Sequence, residues 1–398
     1  MTGTVISMVL KAITGVILAN YLGDALFGVF TVYSATYSIL LIVATARYEL
    51  AIMLPKEDND GFHLMLLSSG LSVIFSFVLS IGMMLYQWIF SAELGWFGFM
   101  PITLAILGLY YSINYWLNRK KQYTKLSINR ILQGVLFFGY SFLFYFIEPL
   151  RTNSLILGYI FSQATVLVLL IVYAIADYKK YEIHISWIRI KELAIENINF
   201  PKLSVASGVI NNLAVKLPVF LLRIFCGEGV VGQYGMMENI LAAPIAIISE
   251  AIRDVFRQKA SKDYADDHEC YHTYKTTFKT LAFAAIVPFA LIMFAGKPIL
   301  SFFCQDKYLM AGTFILIMAP FYYIKFVVSP LTFMTYIANK QAFDMKWQIA
   351  FCITSAGGFY LGYLIFGNPY GMLLLYGIAL AIMYGVSFYY TRKLAKGE

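Results

Sequence analysis

The sequence predicts an all-α polytopic membrane protein: about twelve transmembrane helices in two six-helix bundles around a central cavity. Three observations predict it. Of 398 residues, 60% are apolar and only 13% charged, with a mean hydropathy of +0.71. Apolar runs of spanning length recur along nearly the whole chain, and basic residues gather in alternate connections between them. A soluble domain is roughly a quarter charged and under half apolar, so this chain needs a solvent other than water. Disordered and coiled-coil readings fail on the 33 Phe and 30 Tyr and on the lack of a sustained heptad.

A spanning helix needs about 20 mostly apolar residues. In order, the candidate spans are 3–22, 26–46, 62–90, 96–118, 131–147, 154–176, 203–225, 230–252, 280–303, 309–337, 347–366 and 370–390. The fifth is short, and the third and tenth are long enough to tilt or to pass the interface. The runs are continuously apolar rather than alternating with period two, which selects helices over barrel strands.

The connections after even-numbered spans, with the C-terminal tail, hold 2, 5, 5, 6, 2 and 3 basic residues, 23 of the chain's 30. Arg119, Lys120, Lys121, Lys125 and Arg130 follow the fourth span. The positive-inside rule places these loops and both termini in the cytoplasm. The formal charge of +8 is thereby spent on topogenic anchors and headgroup contacts, which removes the footing for a nucleic-acid partner.

The longest polar interruption, Asp177–Lys202, divides the chain into an N-terminal six-helix bundle (1–177), a cytoplasmic linker (178–202) and a C-terminal six-helix bundle (203–398). Residues 185–200 of the linker alternate apolar and charged positions well enough for an interfacial helix. An internal repeat supports the division: GDALFGVF (Gly23–Phe30) matches GEGVVGQY (Gly227–Tyr234) at an offset of 204. Each copy is a short acidic turn in the first hairpin of its half, the mark of a parallel repeat.

An ionisable group inside a span costs at least a few kcal/mol, so it normally faces a cavity or a partner. Lys11, Lys216, Arg223, Glu238 and Lys325 fall in such positions. Thr4, Ser7, Lys11 and Thr14 share one helical face; so do Ser204, Gly208, Asn212, Lys216 and Arg223, and so do Lys325, Ser329, Thr332 and Tyr336. Three polar stripes centred on cations predict an electropositive cavity that binds an anionic headgroup, phosphate or pyrophosphate, through Lys11, Lys216, Lys325, Arg223 and Asn212. The alternative for the lysines is snorkelling or structural pairing with Glu238. Glu238, the only acid deep in a span, is either that partner or a site coupling transport to a proton or sodium gradient. Tyrosines on the second, fourth, tenth and twelfth spans offer faces on which sugar rings could stack, although aromatics near interfaces are commonly anchors.

Enzyme chemistry finds no motif. There is no GxxxxGK[ST] and no HExxH, and His63, His184, His268 and His272 lie in or beside basic loops. No catalytic residue, metal site or cofactor is expected. Cys226, Cys270, Cys304 and Cys352 lack metal-ligand spacing and read as free buried thiols, with a Cys226–Cys304 disulfide as the alternative.

The run Asn20–Gly61, NYLGDALFGVFTVYSATYSILLIVATARYELAIMLPKEDNDG, resembles the start of bacterial O-antigen and exopolysaccharide flippases, the Wzx-type polysaccharide transporter group of the multidrug/oligosaccharidyl-lipid/polysaccharide superfamily. The shared features are a "lG…fG.y" turn and an "RyE.AI.lP" segment, here Arg47, Tyr48, Glu49, Ala51, Ile52, Leu54 and Pro55. Phe200-Pro201-Lys202, Leu217-Pro218, Gly232–Phe256, Tyr115-Trp116…Arg119 and Ser329-Pro330 also fit. The pattern departs at the start, where members usually carry a basic stretch and Met1 here almost opens the first span. The resemblance implies a flippase that moves a polyprenyl-pyrophosphate-linked oligosaccharide across the bacterial cytoplasmic (inner) membrane by alternating access. It implies Arg47 and Glu49 as gate or loop residues. It also implies a lipid-linked oligosaccharide and membrane lipids as partners, with a polysaccharide polymerase and glycosyltransferases as candidate protein partners. The competing functions are a cation-coupled small-molecule exporter of the same superfamily and a membrane polysaccharide polymerase or ligase. The short outer connections disfavour the enzyme.

Overall fold

The computed structural model describes residue 17 and residues 21–398, apart from 92, 305–306 and 339. Among the described residues every regular element is helical, with no strand. Ten stretches are long and apolar enough to cross a bilayer, so the chain is an all-α, multi-pass membrane protein. The expected first span, 3–22, lies almost wholly outside the described residues, and Lys11 with it.

The chain forms two compact units, one taking Val29–Asn212 and the other Leu213–Glu398 together with the segment ending at Gly28. Helix α1 is Asp24–Ala44 and the four-residue α2 is Tyr48–Ala51. Then come α3 (Asp58–Phe90), α4 (Met100–Arg119), α5 (Tyr123–Phe146), α6 (Ser154–Lys180), α7 (Trp187–Glu196) and α8 (Val205–Cys226). Helix α3 opens with Asp58 and Asp60 in its first turn, where carboxylates complement the positive end of the helix dipole. Packing inside the first unit uses small residues, which let helix backbones approach where lipid offers no hydrophobic drive. Gly108 of α4 lies on Ser72 of α3 and Gly158 of α6 on Ser141 of α5, while Ser112 Oγ donates to Ser68 Oγ (2.9 Å).

The second unit holds α9 (Glu228–Pro244), α10 (Glu250–Asp267), α11 (Tyr271–Cys304), α12 (Leu309–Val328), α13 (Met334–Ile337), α14 (Gln341–Phe366) and α15 (Pro369–Ala395). The expected eighth span, 230–252, is not among the ten. Its path is α9, a π-turn at Ile245–Ser249 and the polar α10; Pro244 has no N–H to give, which loosens the ladder there. Helices α14 and α15 meet through a Gly358-x-x-x-Gly362 face, with Gly362 against the backbone of Gly371 and Met372. Asn368 caps α15 by accepting from Gly371 N (3.0 Å).

The sequence repeat is a structural one. Gly23 and Gly227 both sit in the left-handed region, at φ +80° and +85°, a conformation that glycine adopts without penalty. A β-carbon on Gly28 would strike the carbonyl of Glu228, and one on Gly232 would strike that of Asp24. The two copies therefore cross at Gly28 and Gly232 in reciprocal contact. Gln233 pins the crossing: its Nε2 donates to Asp24 Oδ2 (3.1 Å) and to the Lys307 carbonyl (2.8 Å), and its Oε1 accepts from Ala311 N (3.0 Å).

The stretch expected to be a plain linker contains α7, and it is docked. Leu193 joins the core of the first unit, and Ile190 is buried as well. Arg189 reaches Asp60 at 2.7 Å and bridges Glu192 and Glu196, each at 3.0 Å. His63, wholly buried, accepts from Ser186 N at Nε2 (2.9 Å), so its proton sits on Nδ1 and is donated to the Asn59 carbonyl (2.7 Å).

Candidate functional site

Three ionisable side chains come together in the interior of the second unit. Lys216 on α8 places Nζ 3.2 Å from Glu238 Oε1 and 3.4 Å from Oε2, reaching both oxygens from one ammonium. Both side chains stay partly accessible, at 25% and 21%. Lys325 stands in the last turn of α12, 5.3 Å from the Tyr322 ring centroid and within electrostatic reach of both Glu238 and Lys216. Its position has a local cause: α12 stops at Val328 and a 3-10 turn with Pro330 follows, so the negative end of the helix dipole favours a cation there. Two lysines against one glutamate leave the group with a formal excess of one positive charge. Tyr234, Tyr322 and Tyr376 lie within electrostatic reach of the carboxylate. Such a group can pair internally at rest and can turn its ammonium groups to an anion that competes with Glu238.

The other expected site residues separate from this group. Arg223 pairs with Glu228 at 3.2 Å, and both are more than a third exposed, as befits an interfacial pair. Asn212 belongs to the first unit, where its Nδ2 donates to the Ser38 carbonyl (3.2 Å) and its Oδ1 accepts from Ser38 Oγ (3.3 Å). Gly208, on the same expected stripe, lies under the Arg47 guanidinium. The stripe of α8 is thus divided between the units. The stripe after Lys325 is interrupted by the 3-10 turn, and Tyr336 Oη donates to Asp344 Oδ2 instead (3.1 Å). The stripe around Lys11 lies outside the described residues.

Arg47 and Glu49 form an ion pair at 3.6 Å beside a strained turn, since Ala46 and Arg47 have φ of +49° and +61°. Left-handed backbone in non-glycine residues costs about 1–2 kcal/mol each. Glu49 is buried, and among the described residues Oε2 has no hydrogen-bond partner and neither has Arg47 Nε. Burial holds the Glu49 carboxyl above the usual carboxylate range, the Arg47 charge opposing it. The neighbouring loop is built around Arg119, which donates to the carbonyls of Ile52 (3.1 Å), Pro55 (2.8 Å) and Glu57 (3.0 Å) and pairs with Asp58 at 3.2 Å. Gly61 leaves room for that guanidinium. Sequence reasoning placed Arg119 among the anchors and missed this role; the signal was the acidic Asp58-Asn59-Asp60 run just after Pro55.

The tyrosines separate as well. Tyr33, Tyr322 and Tyr376 are buried, and Tyr37 stacks on Tyr159 (centroids 5.2 Å, planes 14° apart). These rings pack on protein. Tyr111 differs: it is 43% exposed. Cys226, Cys270 and Cys352 are free thiols.

The profile of a family described as "polysaccharide biosynthesis protein" matches residues 17–312. No curated protein matches the chain. Among solved structures, the chain is similar to an inward-facing multidrug resistance MATE family transporter of the MOP superfamily, with 14% identity, 97% of this chain and 94% of that one covered, and a TM-score of 0.74. A MATE structure in complex with MaL6 aligns at 13% identity over 98% and 94% of the chains, TM-score 0.69. A MOP superfamily transporter from Pyrococcus furiosus, described by the reverse polarity of its binding pocket, aligns at 13% identity over 98% and 93%, TM-score 0.65. The fold is therefore MATE-like.

Proposed function

We propose, from the premise that this chain belongs to the polysaccharide biosynthesis protein family, that it is a transporter rather than an enzyme and flips a polyprenyl-pyrophosphate-linked oligosaccharide across a bacterial inner membrane by alternating access. The observation that carries the reading is the Lys216–Glu238–Lys325 group: two ammonium groups within spans and one carboxylate on α9 between them in sequence. Maintaining excess positive charge there is costly, and a pyrophosphate is the class of ligand that repays it. In this reading Glu238 holds Lys216 at rest. Protonating Glu238, or pairing it with sodium, releases Lys216 to the substrate, so that ion and anion bind cooperatively. The basic loops and both termini face the cytoplasm, 178–202 joins bundles 1–177 and 203–398 on that face, and glycosyltransferases and a polymerase act on the substrate before and after transfer.

The test is cell complementation or reconstituted flipping with Lys216→Ala and Lys325→Ala at matched expression. The proposal expects flux to fall at least tenfold in each. Normal flux in both, with loss only in Glu238→Gln, would indicate a cation-coupled exporter instead.

A further inference from the structure

The amino end of α11 and the carboxyl end of α15 lie side by side, tied by Cys270 N donating to the Ala395 carbonyl (2.8 Å). Between them opens a cavity of about 210 Å³ that no part of the proposed transport reaction uses. Its rim carries Lys275 and Lys279, one helical turn apart on α11, and Arg392 on α15. Neither helix contains a single Asp or Glu, so the walls bring three positive charges and no carboxylate. Arg392 is oriented rather than loose: Nη2 lies 3.2 Å from Tyr271 Oη. The floor is aromatic, with Phe278 against Phe388 (centroids 4.9 Å) and Tyr274 fixed by Thr391 (Oη to Oγ1, 2.9 Å).

Below the cavity both helices continue with exposed apolar residues. On α11 the face of Lys275 and Lys279 runs on to Phe283 and Ile286; on α15 the exposed Tyr389, Val386 and Ile382 lead back from the turn that carries Arg392. Phe283 is 72% exposed and Ile382 62%. A cationic, aromatic-floored mouth at the end of an apolar groove matches a molecule with an anionic phosphate at one end and acyl chains at the other. A free phosphate would use only the mouth.

We propose that this groove binds an anionic glycerophospholipid of the leaflet on the basic-loop face. Lys275, Lys279 and Arg392 hold the phosphate, Phe278 and Phe388 lie beneath the glycerol, and the exposed apolar residues on α11 and α15 hold the chains. The site does not depend on what the protein transports.

The experiment is native mass spectrometry and thermal unfolding of the purified full chain with phosphatidylglycerol, with phosphatidylcholine and with inorganic phosphate. Wild type and Lys275→Gln/Lys279→Gln are compared. The proposal expects wild type to retain phosphatidylglycerol in preference to phosphatidylcholine and to melt higher with it. It expects the double variant to bind phosphatidylglycerol roughly thirtyfold more weakly, as about 1 kcal/mol per lysine implies. An unchanged size-exclusion profile and helicity confirm that the variant folds; should it not fold, Arg392→Gln alone takes its place, with several-fold weaker binding expected. Equal retention of the two lipids by wild type, undiminished phosphatidylglycerol binding in a folded variant, or displacement of the lipid by equimolar inorganic phosphate would each overturn the proposal.

Discussion

Removing the Lys216–Glu238 pair one charge at a time separates structural glue from a binding site. At 3.2 Å and an effective dielectric near 20, Coulomb attraction is about 5 kcal/mol. Because both side chains keep a fifth to a quarter of their surface accessible, desolvation and screening return much of it. Deleting one partner should then cost about 1–3 kcal/mol, below the 3–5 of a fully buried pair. Lys216→Met strands Glu238 with no ion-pair partner in contact, and Glu238→Gln leaves two lysines without their shared counter-charge, so each single variant should melt several degrees lower. The double variant Lys216→Met/Glu238→Gln removes both charges and should recover to within about 1 kcal/mol of wild type, giving a coupling energy of 0.5–3 kcal/mol, the usual range for touching residues. Scanning fluorimetry reads the stability and a flipping assay on the same preparations reads the flux. The account expects recovered stability with flux still at least tenfold down. A double variant that regains both would reduce the pair to glue and refute the reasoning.

Other outcomes follow from the same geometry. Gly232→Val drives a side chain into the Asp24 carbonyl; overpacking costs about 1–3 kcal/mol, and the melting temperature should fall, whereas Gly70→Ala, which faces open space in the middle of α3, should hold or slightly raise it. His63→Ala leaves the Ser186 N–H without its acceptor, worth about 1–3 kcal/mol, and limited proteolysis should cut residues 184–198 faster. Glu49 has a folded-state pKa raised by burial, so its contribution favours folding below the unfolded carboxylate value and is lost as pH rises through the folded value. Wild type should gain stability relative to Glu49→Gln as pH falls from 7 toward about 4, and a constant difference across that range would contradict the assignment. Burial pushes the Cys270 thiol up to about 11; since only the thiolate reacts, maleimide at pH 7.5 should label it slowly until the protein is denatured.

Much of this was legible in the chain because lipid simplifies the code. Where every backbone polar group must be satisfied internally, continuous apolar runs can only be helices, and ten spans follow among the described residues. The crossing of Gly28 and Gly232 was visible as a repeat because a left-handed turn and a close backbone approach each demand glycine. The pairing of Lys216 with Glu238 was foreseeable as the alternative to a cavity-facing lysine, since an ionisable group in a predicted span needs a partner. The division of the α8 stripe between Asn212 and Lys216 was not, since helical periodicity gives a face but not which neighbour meets each turn of it. The break of the Lys325 stripe was signalled by Ser329-Pro330, which ends regular helix geometry. The docking of α7 on Asp60 and His63 depends on residues more than a hundred positions away, and single-sequence patterning carries no such pairing.

The central claim is that the charged interior of the second unit binds the substrate's pyrophosphate. The direct measurement is the affinity of purified protein for a polyprenyl-pyrophosphate lipid, followed with proton uptake, in wild type and in Lys216→Met/Lys325→Met. The account predicts affinity at least tenfold lower in the variant, with no proton taken up on binding, against tight binding with proton or sodium uptake in wild type. Equal affinity in the two proteins would contradict it.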